Sequence, residues 1–173
     1  MERATYASTL GQRQSRFAGL LEQHRGIVLK VAHTYCRDTE DRRDLAQEIC
    51  AQLWKAFPKW DEARPFSTWM YRVALNCAIS HARSGAARER PLPLDEQLAE
   101  PAHGLDAERE RDDGLRALHC AIDGLAALDR ALLLLYLDER SQREIAEVLG
   151  IGESNVATRI GRLKQRIRDQ FGH

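Results

Sequence analysis

The chain has 173 residues, 43% of them apolar, with 26 basic and 26 acidic side chains that cancel to a formal net charge of zero. Even its most apolar run, "ALLLLYL", falls far short of the roughly 18 residues of a membrane span, and no signal-peptide pattern opens the sequence, so membrane insertion and secretion are not indicated. Four widely spaced cysteines, Cys36, Cys50, Cys77 and Cys120, include no C-x-x-C pair, which points away from a zinc knuckle or a disulfide scaffold and fits a reducing cytoplasm.

The zero net charge conceals a segregation. Residues 1–90 carry 15 basic and 10 acidic side chains, residues 91–140 carry 5 and 12, and residues 141–173 carry 6 and 4. Two basic ends therefore flank an acidic middle, and the ends are where an anionic partner can be met.

After an N-terminal extension over residues 1–12, the chain reads as helix after helix from about 13 to 83, with no alternating apolar pattern long enough for a sheet. In "RDLAQEICAQLWKAF", Leu45, Ile49, Leu53 and Phe57 form the buried side, while Asp44, Gln47, Glu48, Ala51 and Lys55 face out with Trp54 at the boundary. A half-exposed Trp beside carboxylates and amides suits a protein interface, and it equally suits closure of the domain's own core. The loop "PKWDEARPFS" carries Trp60, Phe66 and two prolines, a rigid wall against which an extruded base could lie. For these aromatics the competing reading is hydrophobic closure of the helical bundle.

The next helix, "STWMYRVALNCAISHAR", is apolar almost all round except for one stripe. Trp69, Arg72, Asn76, Ser80 and Arg83 fall within roughly 100° of one another on the helical wheel. An aromatic, an amide and two guanidiniums in one row can stack and hydrogen-bond unpaired bases or clamp phosphates.

Residues 84–113 change character. They hold three of the five prolines and few large apolar side chains, and within them residues 91–113 carry eight acids against two arginines. Such a segment cannot bury enough surface to offset its ordering, so it reads as a flexible acidic tether, either simply solvated or imitating nucleic acid in a basic channel. A second helical domain then spans residues 114–173, with a helix near Leu115–Leu125, a buried run at Ala131–Leu137 and a helix pair.

That pair is signalled by capping chemistry. Ser141 with Glu144 three residues on gives a capping box, Gly150 accepts the left-handed backbone that ends the first helix, and Gly152 or Glu153 starts the second. From Val156 the apolar Ile160, Leu163, Ile167 and Phe171 follow on one narrow stripe, while Asn155, Thr158, Arg159, Arg162 and Arg166 share another side. Small Ala146, turn Gly150 and buried Val156 sit where a helix-turn-helix needs a close contact, a tight turn and a plug. The second helix could then lie in the major groove. The plain alternative is an antiparallel helical pair with a solvated basic face.

Taken together, "RDLAQEICAQLWKAF", "PFSTWMYRVALNCAISHAR" and "LDRALLLLYLDERSQREIAEVLGIGESNVATRIGRLKQRIR" resemble regions two and four of bacterial sigma-70 family RNA polymerase sigma factors. The short tether with no intervening domain is similar to the extracytoplasmic-function (ECF) subgroup. The resemblance implies an all-α fold of two helical domains: residues 13–83 as the region 2 domain, 84–113 as the linker and 114–173 as the region 4 domain. It implies docking of core RNA polymerase on Asp44, Gln47, Glu48 and Trp54, and contact with the minus-ten promoter element by Trp60, Phe66, Trp69, Arg72, Asn76 and Arg83. By the same resemblance Ser154, Asn155, Thr158, Arg159, Arg162 and Arg166 meet the minus-thirty-five element, the first four in base reading and the last two chiefly on phosphates. An anti-sigma factor is a further implied partner. Two positions depart from the family pattern: Ser80 stands where an acid is common, and Gly152 where Ser or Thr commonly caps the recognition helix.

These features point to promoter-specific transcription initiation in the cytoplasm, without an enzyme's bond chemistry. The sequence holds no G-x-x-x-x-G-K-[ST] loop and no H-E-x-x-H, and its six histidines form no cluster at ligand spacing, so no metal and no cofactor is expected. The alternative is a helix-turn-helix regulator whose residues 1–90 sense a signal or dimerise. Such a regulator would not need the basic, aromatic stripe of the N-terminal half.

Overall fold

Asp38 shows how the first strong helix boundary arises: its carboxylate accepts from the backbone N–H of Glu40 at 2.8 Å and of Asp41 at 3.1 Å, satisfying donors that a helix start leaves open. The computed structural model describes residues 2–84 and 121–171, with side chains described for 11–84 and 121–169. Its helices are α1 (Glu2–Gln23), α2 (Arg25–Tyr35), α3 (Thr39–Ala56), a 3-10 turn (Phe57–Lys59), α4 (Phe66–Arg83), α5 (Ala127–Leu137), α6 (Gln142–Leu149) and α7 (Glu153–Phe171). Among the described residues there are helices and turns and no strands. The acidic tether expected over 84–113 lies outside the described residues apart from Ser84, as does the helix expected near Leu115–Leu125 before residue 121. No break in α1 marks the boundary expected after residue 12.

The N-terminal unit packs α2, α3 and α4 around Val31, Leu45, Ile49, Leu53, Met70, Tyr71 and Ala74, all without solvent exposure. Leu45, Ile49 and Leu53 recur at the four-residue spacing of one helix face, and each such buried side chain contributes about 1.5–3 kcal/mol. The C-terminal unit closes over Ala131, Leu132, Leu135, Ile145 and Val156, which are equally inaccessible. The run Ala131–Leu137 is not buried throughout as expected: Tyr136 is 40% and Leu137 67% exposed, because α5 turns only one side to the core. The Lys164 ammonium lies 4.5 Å from the centre of the exposed Tyr136 ring instead.

The two units meet along α2 and α4 on one side and α5 and α6 on the other. The seam is polar. Tyr71, buried in the N-terminal core, donates its hydroxyl to Asp138 Oδ2 at 2.7 Å, and Tyr35 donates to the Ala127 carbonyl at 2.6 Å. The guanidiniums of Arg140 and Arg130 sit over those same rings at 5.2 and 5.6 Å. Lys30 pairs with Asp138, Arg37 with Asp123, and Arg64 with Glu147 at 2.8 Å.

Partial burial pushes the Asp138 carboxyl up, but the hydrogen bonds from Lys30 and Tyr71 and the charges of Lys30 and Arg140 outweigh it and hold the carboxyl below its ordinary range. A depressed native value stabilises the closed seam fully above the ordinary aspartate value near ~3.9, and that contribution is lost as pH falls through the lower value. Asp138→Asn removes the charge while keeping an acceptor for Tyr71. The variant should show a larger radius of gyration in small-angle scattering at neutral pH with unchanged helix content. Wild-type protein should expand similarly below about pH 4. An unchanged radius in the variant would place the seam's strength in its other pairs.

Candidate nucleic-acid interface

Three surfaces carry the predicted site residues. On α3 the spacing that buries Leu45, Ile49 and Leu53 turns Asp44, Gln47 and Glu48 to solvent. Glu48 accepts a hydrogen bond from Gln52 at 2.6 Å, so its carboxylate is part of an ordered polar row. Trp54 divides between the two readings of the sequence: it is 36% exposed, and its inner side packs on Phe17 with ring centres 5.2 Å apart.

The second surface is the stripe on α4. Arg72, Asn76, Ser80 and Arg83 are exposed while Met70, Tyr71, Ala74, Leu75 and Ala78 on the same helix are buried, so the polar row is the outward side of a helix otherwise enclosed. Between it and α3 runs a groove of 630 Å³ lined by Glu48, Gln52, Asn76, Cys77, Ser80 and His81, which makes the two polar surfaces continuous. Burial pushes the Cys77 thiol up to about 11, leaving it a protonated and unreactive wall of that groove.

The aromatics of the loop behave differently from the stripe. Phe57, Trp60, Phe66 and Trp69 pack together, Trp60 stacking on Phe57 at 5.9 Å and meeting Phe66 edge-on at 5.1 Å. Phe66, expected to meet DNA, is only 6% exposed: it is the first residue of α4, and its ring packs in the bundle against His24 and Trp69. Trp60 and Trp69 are half-buried. Arg16, which sequence reasoning missed, lies 5.5 Å over the Trp60 ring and pairs with Glu62 at 2.5 Å, steadying the loop from α1. Nothing in local spacing signals a contact across more than forty positions.

The third surface belongs to α7. The capping box predicted at the start of α6 is formed, with Glu144 N–H donating to Ser141 Oγ at 3.2 Å and Ser141 N–H to Glu144 Oε2 at 3.0 Å. The Ser141 N–H and the Ser141 hydroxyl, which donates to the same Oε2 at 2.8 Å, hold the Glu144 carboxyl below its ordinary range. Gly150 takes φ +67, the left-handed turn that needs no Cβ, and α7 begins at Glu153 as expected. Val156, Ile160 and Leu163 are buried and Ile167 half-buried, whereas the Phe171 side chain lies outside the described residues. Ser154, Asn155, Thr158, Arg162 and Arg166 are exposed and Arg159 is intermediate. Thr158 donates back to the Ser154 carbonyl at 2.9 Å, and Arg166 donates to the Gly124 carbonyl at 3.3 Å.

The seam brings the head of the second surface against α6. Glu147 and Val148 of α6 line a small cleft with Arg64, Thr68, Trp69 and Arg72, so the head of the α4 stripe faces the C-terminal unit while Asn76 and Arg83 stand clear of it. Among the described residues no group of three or more His, Cys, Asp or Glu is placed to hold a metal ion, and no helix is long and apolar enough to cross a membrane.

Comparison with known proteins places both units. Residues 20–88 match the family model of Sigma-70 region 2, and residues 115–167 match that of Sigma-70, region 4. The chain is 25% identical over 182 residues to the ECF RNA polymerase sigma factor SigW of Bacillus subtilis, covering 91% of this chain and 90% of that protein. It is 29% identical over 154 residues to the ECF RNA polymerase sigma factor SigE of Mycolicibacterium smegmatis, covering 87% of this chain and 59% of the relative. The fold superposes with a TM-score of 0.59 on the sigma factor RpoE in its complex with the anti-sigma factor NepR from Bartonella quintana, at 16% identity over 91% of this chain and 94% of that one.

Burial separates support from contact in a measurable way. Phe66→Ala should lower stability by about 3–5 kcal/mol in a urea titration, as loss of a buried aromatic does. Asn76→Ala should stay within about 0.5 kcal/mol of wild type, because its side chain is on the surface. A large loss of stability in the Asn76 variant would give that residue a structural role.

Proposed function

The chain belongs to the sigma-70 family of RNA polymerase sigma factors, in the ECF subgroup, and from that premise we propose how its surfaces divide the work of initiation. The chain binds core RNA polymerase and recognises promoter DNA. In our reading the domain of residues 13–83 docks on the polymerase through Asp44, Gln47, Glu48 and Trp54. The same domain meets the minus-ten element through the α4 stripe, where Trp69, Arg72, Asn76 and Arg83 hold one strand of melted DNA with Trp60 beside them. The domain of residues 114–173 reads the minus-thirty-five element with Ser154, Asn155, Thr158 and Arg159, while Arg162 and Arg166 hold phosphates. Residues 84–113 join the two.

One observation carries this reading over a regulator with a sensing domain: every residue of α4 is buried or half-buried except the line of Arg72, Asn76, Ser80 and Arg83. Two guanidiniums, an amide and a hydroxyl on an exposed row have no packing duty, yet they are the donors that phosphates and unpaired bases accept from. The chain acts by binding and orienting, without bond chemistry of its own, and works in the cytoplasm where the polymerase is. An anti-sigma factor is a natural partner, since the superposed RpoE is held by one.

Transcription in vitro from fragmented genomic DNA of the source organism, with core polymerase alone and with the protein added, tests the whole reading. New start sites are expected only with the protein, and their absence would overturn it. Trp54→Ala combined with Gln47→Ala should weaken binding to core polymerase while leaving duplex affinity unchanged. Asn76→Ala should leave closed complexes nearly intact and reduce open ones, seen as lost permanganate reactivity of unpaired thymines, because loss of contacts to unpaired bases costs on the order of 1–3 kcal/mol each. Equal loss at both steps would remove Asn76 from the melting surface.

A further inference from the structure

Arg159 differs from the other basic residues of α7 in how firmly it is held. Its Nε donates to Asn155 Oδ1 at 3.1 Å along the same helix, and its Nη1 donates to Asp129 Oδ1 at 2.9 Å across to the first turn of α5. The side chains of Arg159 and Asp129 are 36% and 24% exposed, so this ion pair is shielded from salt better than a pair on the open surface. Two bonds from different helices fix both the position of the guanidinium and the direction in which its plane faces. Arg162 and Arg166 line the same shallow concavity, but both remain exposed.

A guanidinium has five N–H donors, and these two bonds leave three, including both on Nη2. A bidentate contact to guanine O6 and N7 uses two. A free arginine must give up rotamer freedom when it docks on a base, whereas one already clamped has given it up on folding. The carboxylate of Asp129 works against general affinity, since it repels an approaching phosphate. Its presence beside the reading face is therefore explained by orientation and not by attraction.

We propose that Asp129 is a positioning residue for promoter reading: it holds the Arg159 guanidinium so that its free donors meet the guanine of one base pair in the upstream element, raising discrimination while lowering general DNA affinity. The proposal rests on the reading of Arg159 as a base-contacting residue.

The test uses holoenzyme made from the full chain, titrated on a duplex that the wild-type holoenzyme selects from a random-sequence library and on derivatives with each base pair of the upstream element changed singly. Arg159→Ala should flatten discrimination at one base pair by roughly 5- to 100-fold, the range of a bidentate base contact. Asp129→Ala should flatten discrimination at that same pair while affinity for a scrambled duplex stays level or rises. Asp129→Asn, which keeps an oxygen acceptor, should retain most of the discrimination, and the double Ala variant should be no worse than Arg159→Ala alone. If Arg159→Ala loses discrimination and Asp129→Ala keeps it, Asp129 positions nothing and the proposal fails while the reading of Arg159 stands. If Arg159→Ala flattens no base pair, that reading fails and takes the proposal with it. Uniform loss of affinity across the panel in both Asp129 variants marks a structural role and also overturns it.

Discussion

The hydrogen bond from Tyr71 to Asp138 sets how the two halves of this protein meet. Tyr71 is wholly buried where the two units meet, so its hydroxyl cannot be reached by bulk water and needs a partner. That partner is a carboxylate of the other unit, which in turn faces Lys30 and Arg140. The guanidinium of Arg140 lies over the same Tyr71 ring, so one aromatic side chain gathers the hydrogen bond, the charges and the stacking at one place. Around it tyrosines, arginines and carboxylates pair across the seam. Behind it the buried apolar side chains of the two units belong to one continuous cluster. In the closed arrangement the head of the α4 stripe faces Glu147 and Val148, so the same seam governs access to Trp69 and Arg72.

Local periodicity told most of what the helices do. The inward and outward sides of α3, the exposed row on α4, and the capping box and glycine turn before α7 all follow from spacing within one helix or from a cap a few residues away. These were legible because a helix repeats its environment every three or four residues, so one buried stripe predicts the rest. The two-domain, all-α plan was legible for the same reason. What spacing leaves open is of another kind. An aromatic in a loop beside an exposed stripe suits both a base contact and closure of the bundle, and only the meeting of His24, the 3-10 turn and α4 shows the Phe66 ring packed inside. The run Ala131–Leu137 read as buried because its composition is uniform, and uniform composition hides which side of a helix faces out.

The contacts between distant positions were invisible for a different physical reason. Arg16 over Trp60, Arg64 with Glu147 and Arg159 with Asp129 each join residues that no local pattern relates. In a chain with 30% charged residues every carboxylate has many possible partners, and Coulomb attraction at a protein surface is too weakly selective to choose among them. The choice is made by the packing of the apolar stripes, which bring particular helices side by side, and the charges then pair with whatever that packing offers. Ion pairs in this fold are consequences of hydrophobic register, and that is why the register had to be known before they could be.

The same dependence explains how one helix can carry two kinds of arginine. Val156, Ile160 and Leu163 fix the roll of α7 about its axis, and that roll decides which polar positions lie beside α5 and which lie clear of it. Arg159 sits at the margin of the buried stripe, close enough to be caught by Asp129. Arg162 lies nearer the middle of the exposed side, while Arg166, at the margin again but two turns further on, finds only the carbonyl of Gly124. A carboxylate holds a guanidinium through charge as well as hydrogen bonding, whereas a carbonyl offers hydrogen bonding alone. The helix therefore presents two kinds of arginine: Arg159, near its N-terminal turns, is held by charge and hydrogen bonding together, whereas Arg162 and Arg166 further along are held more loosely.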